Sequence, residues 1–233
     1  MRLGLTIDLD TCVGCHACAV ACKEWNGESR MAGPLPDYKP YGNDPSGAWL
    51  NRIRSFEYGA YPENKTVNVP MSCLHCEDAA CVTVCPTGAS YKRDDGIVLV
   101  DPDKCMGCNY CAWACPYGAR ELDQQAGVMK KCTLCVDRIY DENLLPEDRQ
   151  PACVLACPTQ ARMFGDFDDP ESSVAKASAA RGMSPMLGDL GYKPVNRYLA
   201  PRTPPEVKVD MSKSPKKTLT QLLSQWVGAS KAN

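Results

Sequence analysis

Short alternating stretches that run into cysteine loops dominate the hydrophobic pattern of this chain. In "LGLTIDLD" apolar and polar positions alternate enough to predict a strand entering the first cysteine loop, and "GIVLVDPDKC" repeats the arrangement. "ASYKRDDGIVLV" and "ARELDQQAGVMKKC" read as hairpins with turns at Asp94 to Gly96 and Gln124 to Gly127. "WLNRIRSFEYG" and "KTVNVP" read as a strand pair, and "ARMFGDFD" as a closing strand. Helical periodicity is brief, with short helices predicted around Ala19 to Trp25, Ala80 to Val84, Tyr110 to Ala114 and Cys153 to Ala156, and another in "DPESSVAKASAARG". "MAGPLPDYKPYGNDPSG" is rich in Pro and Gly and is expected to be an ordered surface loop, whose tyrosines, with Trp49, suit either a connector or a partner contact. "GYKPVNRYLAPRTPPEV" reads as an extended arm. The closing "KKTLTQLLSQWVGASKAN" places Leu219, Leu222, Leu223 and Trp226 at helical spacing. Such a helix packs on its own domain, docks on a partner or lies on a membrane surface, and partner docking is the preferred reading.

Composition changes this picture. The chain has 233 residues, sixteen of them cysteine and only three phenylalanine. It lacks the long aliphatic runs of an ordinary core, so something other than hydrocarbon packing is expected to hold it together. The net charge of −2 gives no electrostatic case for nucleic acid. That value conceals an asymmetry: from Pro201 onward, Arg202, Lys208, Lys213, Lys216, Lys217 and Lys231 face only Glu206 and Asp210. No window approaches the roughly 18 apolar residues of a membrane span. The start, "MRLGLTIDLDTC", shows no apolar signal region and no twin arginine, which points to the cytoplasm. A cysteine-dense chain in a reducing compartment is read first as metal-binding rather than disulfide-linked.

Every cysteine falls into one of four groups of four. They are Cys12, Cys15, Cys18 and Cys22; Cys73, Cys76, Cys81 and Cys85; Cys105, Cys108, Cys111 and Cys115; and Cys132, Cys135, Cys153 and Cys157. The third, "CMGCNYCAWACP", is the bacterial ferredoxin run, in which the fourth cysteine ligates the other cluster of a pair. The second widens the middle spacing, the fourth carries a loop between its second and third cysteines, and the first ends in Lys23 where proline is expected. Three thiolates two residues apart wrap one corner of a cubane, while a fourth three residues on begins a helix and points away. Gly14 and Gly107 let the loop backbone come close and aim its N–H groups at sulfur. Pro86, Pro116 and Pro158 remove a donor and redirect the chain. Four-thiolate zinc also uses paired cysteines, but it draws them from well-separated knuckles. Sixteen thiolates at four per cluster therefore predict four [4Fe–4S] clusters.

The predicted fold class is α+β, with two ferredoxin-like modules, one inserted into the other, each binding two clusters. Groups two and three make a continuous inserted module over residues 71–117. Groups one and four make a split module over 1–70 and 118–167, and residues 168–233 form a C-terminal arm with a docking tail.

The four groups, in this order and with the looped fourth, resemble the four-cluster iron–sulfur subunits of the molybdopterin oxidoreductase (dimethyl sulfoxide reductase) family. "IDLDTCVGCHACAVACKEWN", "DYKPYGNDPSGAWLNRI", "CTLCVDRIYDENLLPEDRQPACVLACPTQARMFGDFDDPES" and "LGYKPVNRYLAPR" are most similar to the subunit of membrane-bound sulfite dehydrogenases. The resemblance implies that the first cluster is held by Cys12, Cys15, Cys18 and Cys157, and the second by Cys132, Cys135, Cys153 and Cys22. It gives the third Cys105, Cys108, Cys111 and Cys85, and the last, nearest the membrane, Cys73, Cys76, Cys81 and Cys115. Some relatives carry tryptophan at the position of Cys108 and a three-iron cluster there; this chain does not.

The implied role is a relay without catalytic residues of its own. Electrons would pass from a molybdopterin (bis-MGD) catalytic subunit, sulfite-oxidising by this resemblance, through four clusters to an integral-membrane, quinone-reactive anchor. A heterotrimer, or a dimer of heterotrimers, on the cytoplasmic face of the inner membrane is implied. The same role in a dimethyl sulfoxide, polysulfide, tetrathionate or arsenate reductase is the nearest alternative, followed by a free-standing polyferredoxin. His16 and His75 sit in cluster loops, where each tunes a potential or is merely exposed. Lys23, Lys104, Lys130, Lys131 and Arg120 offset cluster charge or form a solvated face.

Overall fold

The structure is a computed structural model that describes residues 1–27, 48–62, 64–183 and 185–201. The loop expected over 31–47 and the closing helix with Leu219, Leu222, Leu223 and Trp226 lie outside the described residues. The chain divides into two units. One contains every cysteine, and the other joins Gly59–Asn64 with residues 203–233. The described part of the second unit is a turn.

The cysteine-bearing unit mixes short strands and short helices, as the alternating pattern predicts. In chain order it contains β1 (Leu3–Asp8), α1 (Ala17–Asn26), β2 (Asn51–Tyr58) and β3 (Lys65–Ser72). Next come α2 (Ala80–Thr83), β4 (Ser90–Lys92), β5 (Val98–Val100), α3 (Tyr110–Trp113), β6 (Glu121–Asp123) and β7 (Val128–Lys130). The remainder are α4 (Val136–Ile139), α5 (Ala152–Leu155), β8 (Arg162–Asp166), α6 (Ser173–Arg181) and β9 (Arg197–Leu199). The pairs β2–β3, β4–β5 and β6–β7 are antiparallel, the last two joined at the expected turns. Neither α4 nor β9 was signalled by periodicity, because four and three residues are too few to display one.

The central sheet has the order β8–β1–β9. Strand β8 runs antiparallel to β1, from Leu3 opposite Asp166 to Ile7 opposite Arg162. Strand β9 runs parallel to β1 on its other edge, with Thr6 opposite Arg197. The helix expected in "DPESSVAKASAARG" is α6, and the segment expected to run as an extended arm supplies the sheet strand β9. Ser172 starts that helix, α6, by accepting the Ala175 amide at 3.2 Å. Arg181 near its end pairs with Asp8 and Asp10 at the end of β1.

Polar side chains fasten this segment to the cysteine loops. The Asn196 carboxamide accepts the Leu5 amide at 2.7 Å and donates to the Cys73 carbonyl at 2.9 Å, wholly out of solvent. The Tyr198 hydroxyl donates to the Pro70 carbonyl at 2.8 Å. The core itself is half cysteine loop: Leu5, Ile7, Leu74, Ile97 and Leu134 pack in one cluster with Cys18, Cys73, Cys132 and Cys153. A fold with few aromatics therefore centres on its sulfur sites.

Candidate iron–sulfur centres

All sixteen cysteines are free thiols. Group one begins in the loop after β1 and ends in α1, whose packing on α5 brings group four to it. Cys12, Cys15, Cys18 and Cys157 line a single pocket with Ile53, Pro70, Thr159 and Arg162 around them. Cys22 lies in the field of Cys132, Cys153 and Cys135, and Cys76 in that of Cys73, Cys81 and Cys115. Helices α2 and α3 pack together and carry Cys81 and Cys111. The two glycines act where the spacing argument placed them. Gly14, at φ +72°, directs its amide at Cys12, and a Cβ there would meet Asn68 at 2.7 Å. Gly107, at φ +68°, passes so close to the Gly127 carbonyl oxygen that a Cβ would overlap it.

The sulfurs of Cys12, Cys15, Cys18 and Cys157 face one shared pocket. Tetrahedral zinc with Zn–S near 2.3 Å needs four sulfurs within about 4 Å of one another. Among the described residues no three His, Cys, Asp or Glu side chains are placed to hold a single metal ion. A cubane, whose irons sit at separated corners, fits four thiols around a cavity. Unused buried donors fit it too: Arg120 Nε and Nη1, Arg162 Nε and His75 Nε2 have no hydrogen-bond partner among the described residues. Cluster sulfurs are acceptors for such groups.

The thiols are tuned to need that partner. Burial and the neighbouring sulfurs push Cys76 and Cys132 up to about 12 and Cys22 higher still. Such thiols ionise only against strong positive charge, which bound iron supplies. Cys85 goes the other way: burial raises it, but the Ser90 amide, at 3.3 Å from its sulfur, and the Thr87 hydroxyl outweigh that. Other loop donors also meet sulfur. The Met129 amide approaches Cys105 at 3.4 Å, and the Asn26 amide nitrogen lies 3.7 Å from Cys22 and 3.8 Å from Cys135.

Buried cations stand among the groups. Arg120 donates to the Cys81 thiol at 2.9 Å and to Ser90 Oγ at 2.7 Å. Arg162, unremarked in the sequence, donates to the Cys153 thiol at 3.5 Å and to Asn51 Oδ1 at 2.7 Å. Burial opposes both charges, yet the thiols prevail: Cys81, Cys111 and Cys73 around Arg120, and Cys153 and Cys18 around Arg162. Lys23 and Lys131 are buried as well, whereas Lys104 is exposed and pairs with Asp101 at 2.9 Å. Lys23 reaches the Ala48 carbonyl at 2.9 Å. The five sequence cations are therefore not one solvated face. His75 is no exposed loop histidine either, since none of its surface reaches solvent. Burial first, then Lys131 and Arg120, hold its imidazole well below the usual range.

The groups stand in a definite order. Arg162 shares its field between Cys18 and Cys153, so groups one and four adjoin. Cys132 lies in the field of Cys73, so group four adjoins group two. Arg120 spans Cys81 and Cys111, so group two adjoins group three. Contacts between groups thus run from one to four, from four to two and from two to three.

Comparison with known proteins gives the family. Residues 65–167 match a 4Fe-4S dicluster domain, and residues 11–89 match a second family of the same description. The chain is 58% identical over 210 residues to a sulfite dehydrogenase subunit of Allochromatium vinosum, covering 90% of this chain and 87% of that protein. This chain is a member of the family of four-cluster iron–sulfur subunits of the molybdopterin oxidoreductases. Two further members are these. An anaerobic dimethyl sulfoxide reductase subunit of Escherichia coli is 38% identical over 72% of this chain and 75% of its own length. A polysulfide reductase subunit of Wolinella succinogenes is 37% identical over 83% of this chain and 91% of its own. Two dicluster domains and sixteen cysteines give this subunit four [4Fe–4S] clusters.

One signal in the sequence could have disclosed Arg162. Groups three and four end alike, in "CPYGAR" and "CPTQAR", and both arginines are buried against cysteine sulfur. Group two ends in "CPTGAS", and its Ser90 is the residue that Arg120 meets.

Proposed function

We propose that this electron-transfer subunit serves a sulfite-oxidising molybdopterin catalytic subunit and delivers electrons to a quinone-linked membrane anchor. The observation that carries the proposal is the serial placement of the cysteine groups, in a chain 58% identical to a sulfite dehydrogenase subunit. When bound, the four clusters supply one-electron carriers; the chain's own residues hold them, desolvate them and set their surroundings.

The ligand sets we assign are Cys12, Cys15, Cys18 and Cys157; Cys132, Cys135, Cys153 and Cys22; Cys73, Cys76, Cys81 and Cys115; and Cys105, Cys108, Cys111 and Cys85. We place the first nearest the catalytic subunit and the last nearest the anchor, which exchanges the last two positions of the order that the resemblance implies. The shared cavity of Cys12 and Cys157 supports the crossed pairing. Pairing of β1 with β8 and packing of α1 on α5 support an inserted architecture, with residues 71–117 set between 1–70 and 118–167. Residues 168–233 then form an arm whose first part joins the sheet through β9 and whose end docks on a partner.

The assembly is a heterotrimer or a dimer of heterotrimers, with this subunit on the cytoplasmic face of the inner membrane. Among the described residues no helix is long and apolar enough to cross a membrane, so attachment runs through the anchor. Sulfite added anaerobically to the purified complex should bleach the visible cluster absorption, and sulfite added to this chain alone should not. Bleaching of the chain alone overturns the relay. A complex that ignores sulfite but whose reduced clusters are reoxidised by dimethyl sulfoxide or polysulfide reassigns the substrate and leaves the relay standing.

A further inference from the structure

A buried series of hydrogen bonds crosses between the two cysteine modules. Its middle is Val98 in β5: the amide donates to His75 Nδ1 at 3.1 Å, and the carbonyl accepts from Lys131 Nζ. The same Nζ donates to the Cys132 carbonyl at 2.7 Å. His75 stands between Cys73 and Cys76, and Lys131 directly precedes Cys132. The series therefore begins in the loop of group two and ends in the loop of group four, at the one junction an electron must cross to pass between modules.

Solvent takes no part. His75, Val98 and Lys131 are 0%, 1% and 3% exposed. Because Nδ1 accepts a hydrogen bond, the imidazole carries its proton on Nε2, and that atom has no partner among the described residues. An ammonium has three donors, and the two carbonyls take two. Burial first, with Arg120, lowers the Lys131 ammonium from its usual range, and the fields of Cys73, Cys132 and Cys81 oppose that and favour the charge. In a water-free setting a charge so placed acts strongly on whatever those sulfurs bind. Charge and hydrogen bonds around sulfur are what set cluster potentials.

We propose that Lys131, held by the Val98 carbonyl and backed by His75, is the positioning residue of the inter-module step: its charge raises the reduction potentials of the two inner clusters relative to the two outer ones. The inference rests on the four-cluster reading. In the step itself one electron leaves the cluster on Cys132 and enters the cluster on Cys73, with no bond made or broken and no proton transferred.

The test is a potentiometric titration of the anaerobically purified complex, followed by electron paramagnetic resonance, with iron analysis of every sample. Lys131→Met and Lys131→Gln remove the charge, and Lys131→Gln keeps a donor for the Val98 carbonyl. Both are expected to retain iron and to lower the two inner potentials while the outer two stay at their wild-type values, and Lys131→Arg is expected to restore the inner pair. If Lys131→Met loses iron, Lys131→Gln is read in the same way. Full iron with unmoved inner potentials, or all four potentials moved alike, overturns the proposal. Loss of the inner clusters from all three variants also overturns it, by making Lys131 a structural residue alone. A wild-type complex without iron–sulfur signals would instead overturn the four-cluster reading.

Discussion

Cys12 and Cys157, from the first and last cysteine groups, face one cavity, and each lies in the other's electrostatic field. On the ligand sets proposed above, Cys157 serves the cluster of the far group. Cys157→Ser is therefore expected to damage the cluster on Cys12, Cys15 and Cys18, removing up to about four iron atoms per chain. The checks are iron analysis and electron paramagnetic resonance. Loss of the signal from the cluster on Cys132 and Cys135 instead would contradict the crossed pairing.

What the sequence made legible was local. Cysteine spacing, the turns at Asp94 to Gly96 and Gln124 to Gly127, and the short helices after each cysteine run all depend on neighbours a few residues away. Strand β9 was not legible, because three residues between proline- and glycine-rich stretches pair in parallel with a strand at the other end of the chain. Burial of Lys131 and His75 was not legible either. A charged or polar residue in a loop reads as exposed unless its partners are known, and here the partners are the backbone of β5 and Cys132. The order of the groups is a matter of tertiary packing, which spacing does not carry.

Arg162 is 3% exposed and divides its donors between the Cys153 thiol and Asn51 Oδ1. Replacing it with methionine leaves Asn51 without its partner and the sulfurs without a compensating charge. Arg162→Met is expected to cost about 3 kcal/mol of stability, the usual scale for breaking a buried charged pair. Anaerobic thermal denaturation followed by cluster absorption reads this directly, and an unchanged midpoint would show that the guanidinium does not support the site.

Asn196 joins Leu5 in β1 to the Cys73 loop with a single carboxamide. Asn196→Ala strands a buried amide and a buried carbonyl, each at a cost of about 1–3 kcal/mol. The variant is expected to unfold at lower denaturant and to release iron first from the cluster on Cys73. Denaturation with the same midpoint as wild type would mean that β9, not Asn196, fastens the segment.

Gly107 combines a left-handed φ of +68° with an approach to the Gly127 carbonyl that leaves no room for a Cβ. Gly107→Ala is expected to disorder the loop of Cys105 and Cys108 and to remove the outermost cluster, while the other three persist. Resonance spectra separate the clusters. Retention of all four in this variant would place the strain elsewhere.

The most direct measurement is iron, zinc and acid-labile sulfide analysis of the anaerobically purified native protein. Four cubanes require about sixteen iron and about sixteen sulfide per chain, with no stoichiometric zinc. Zinc at about four per chain, without iron or sulfide, would contradict the relay at its foundation.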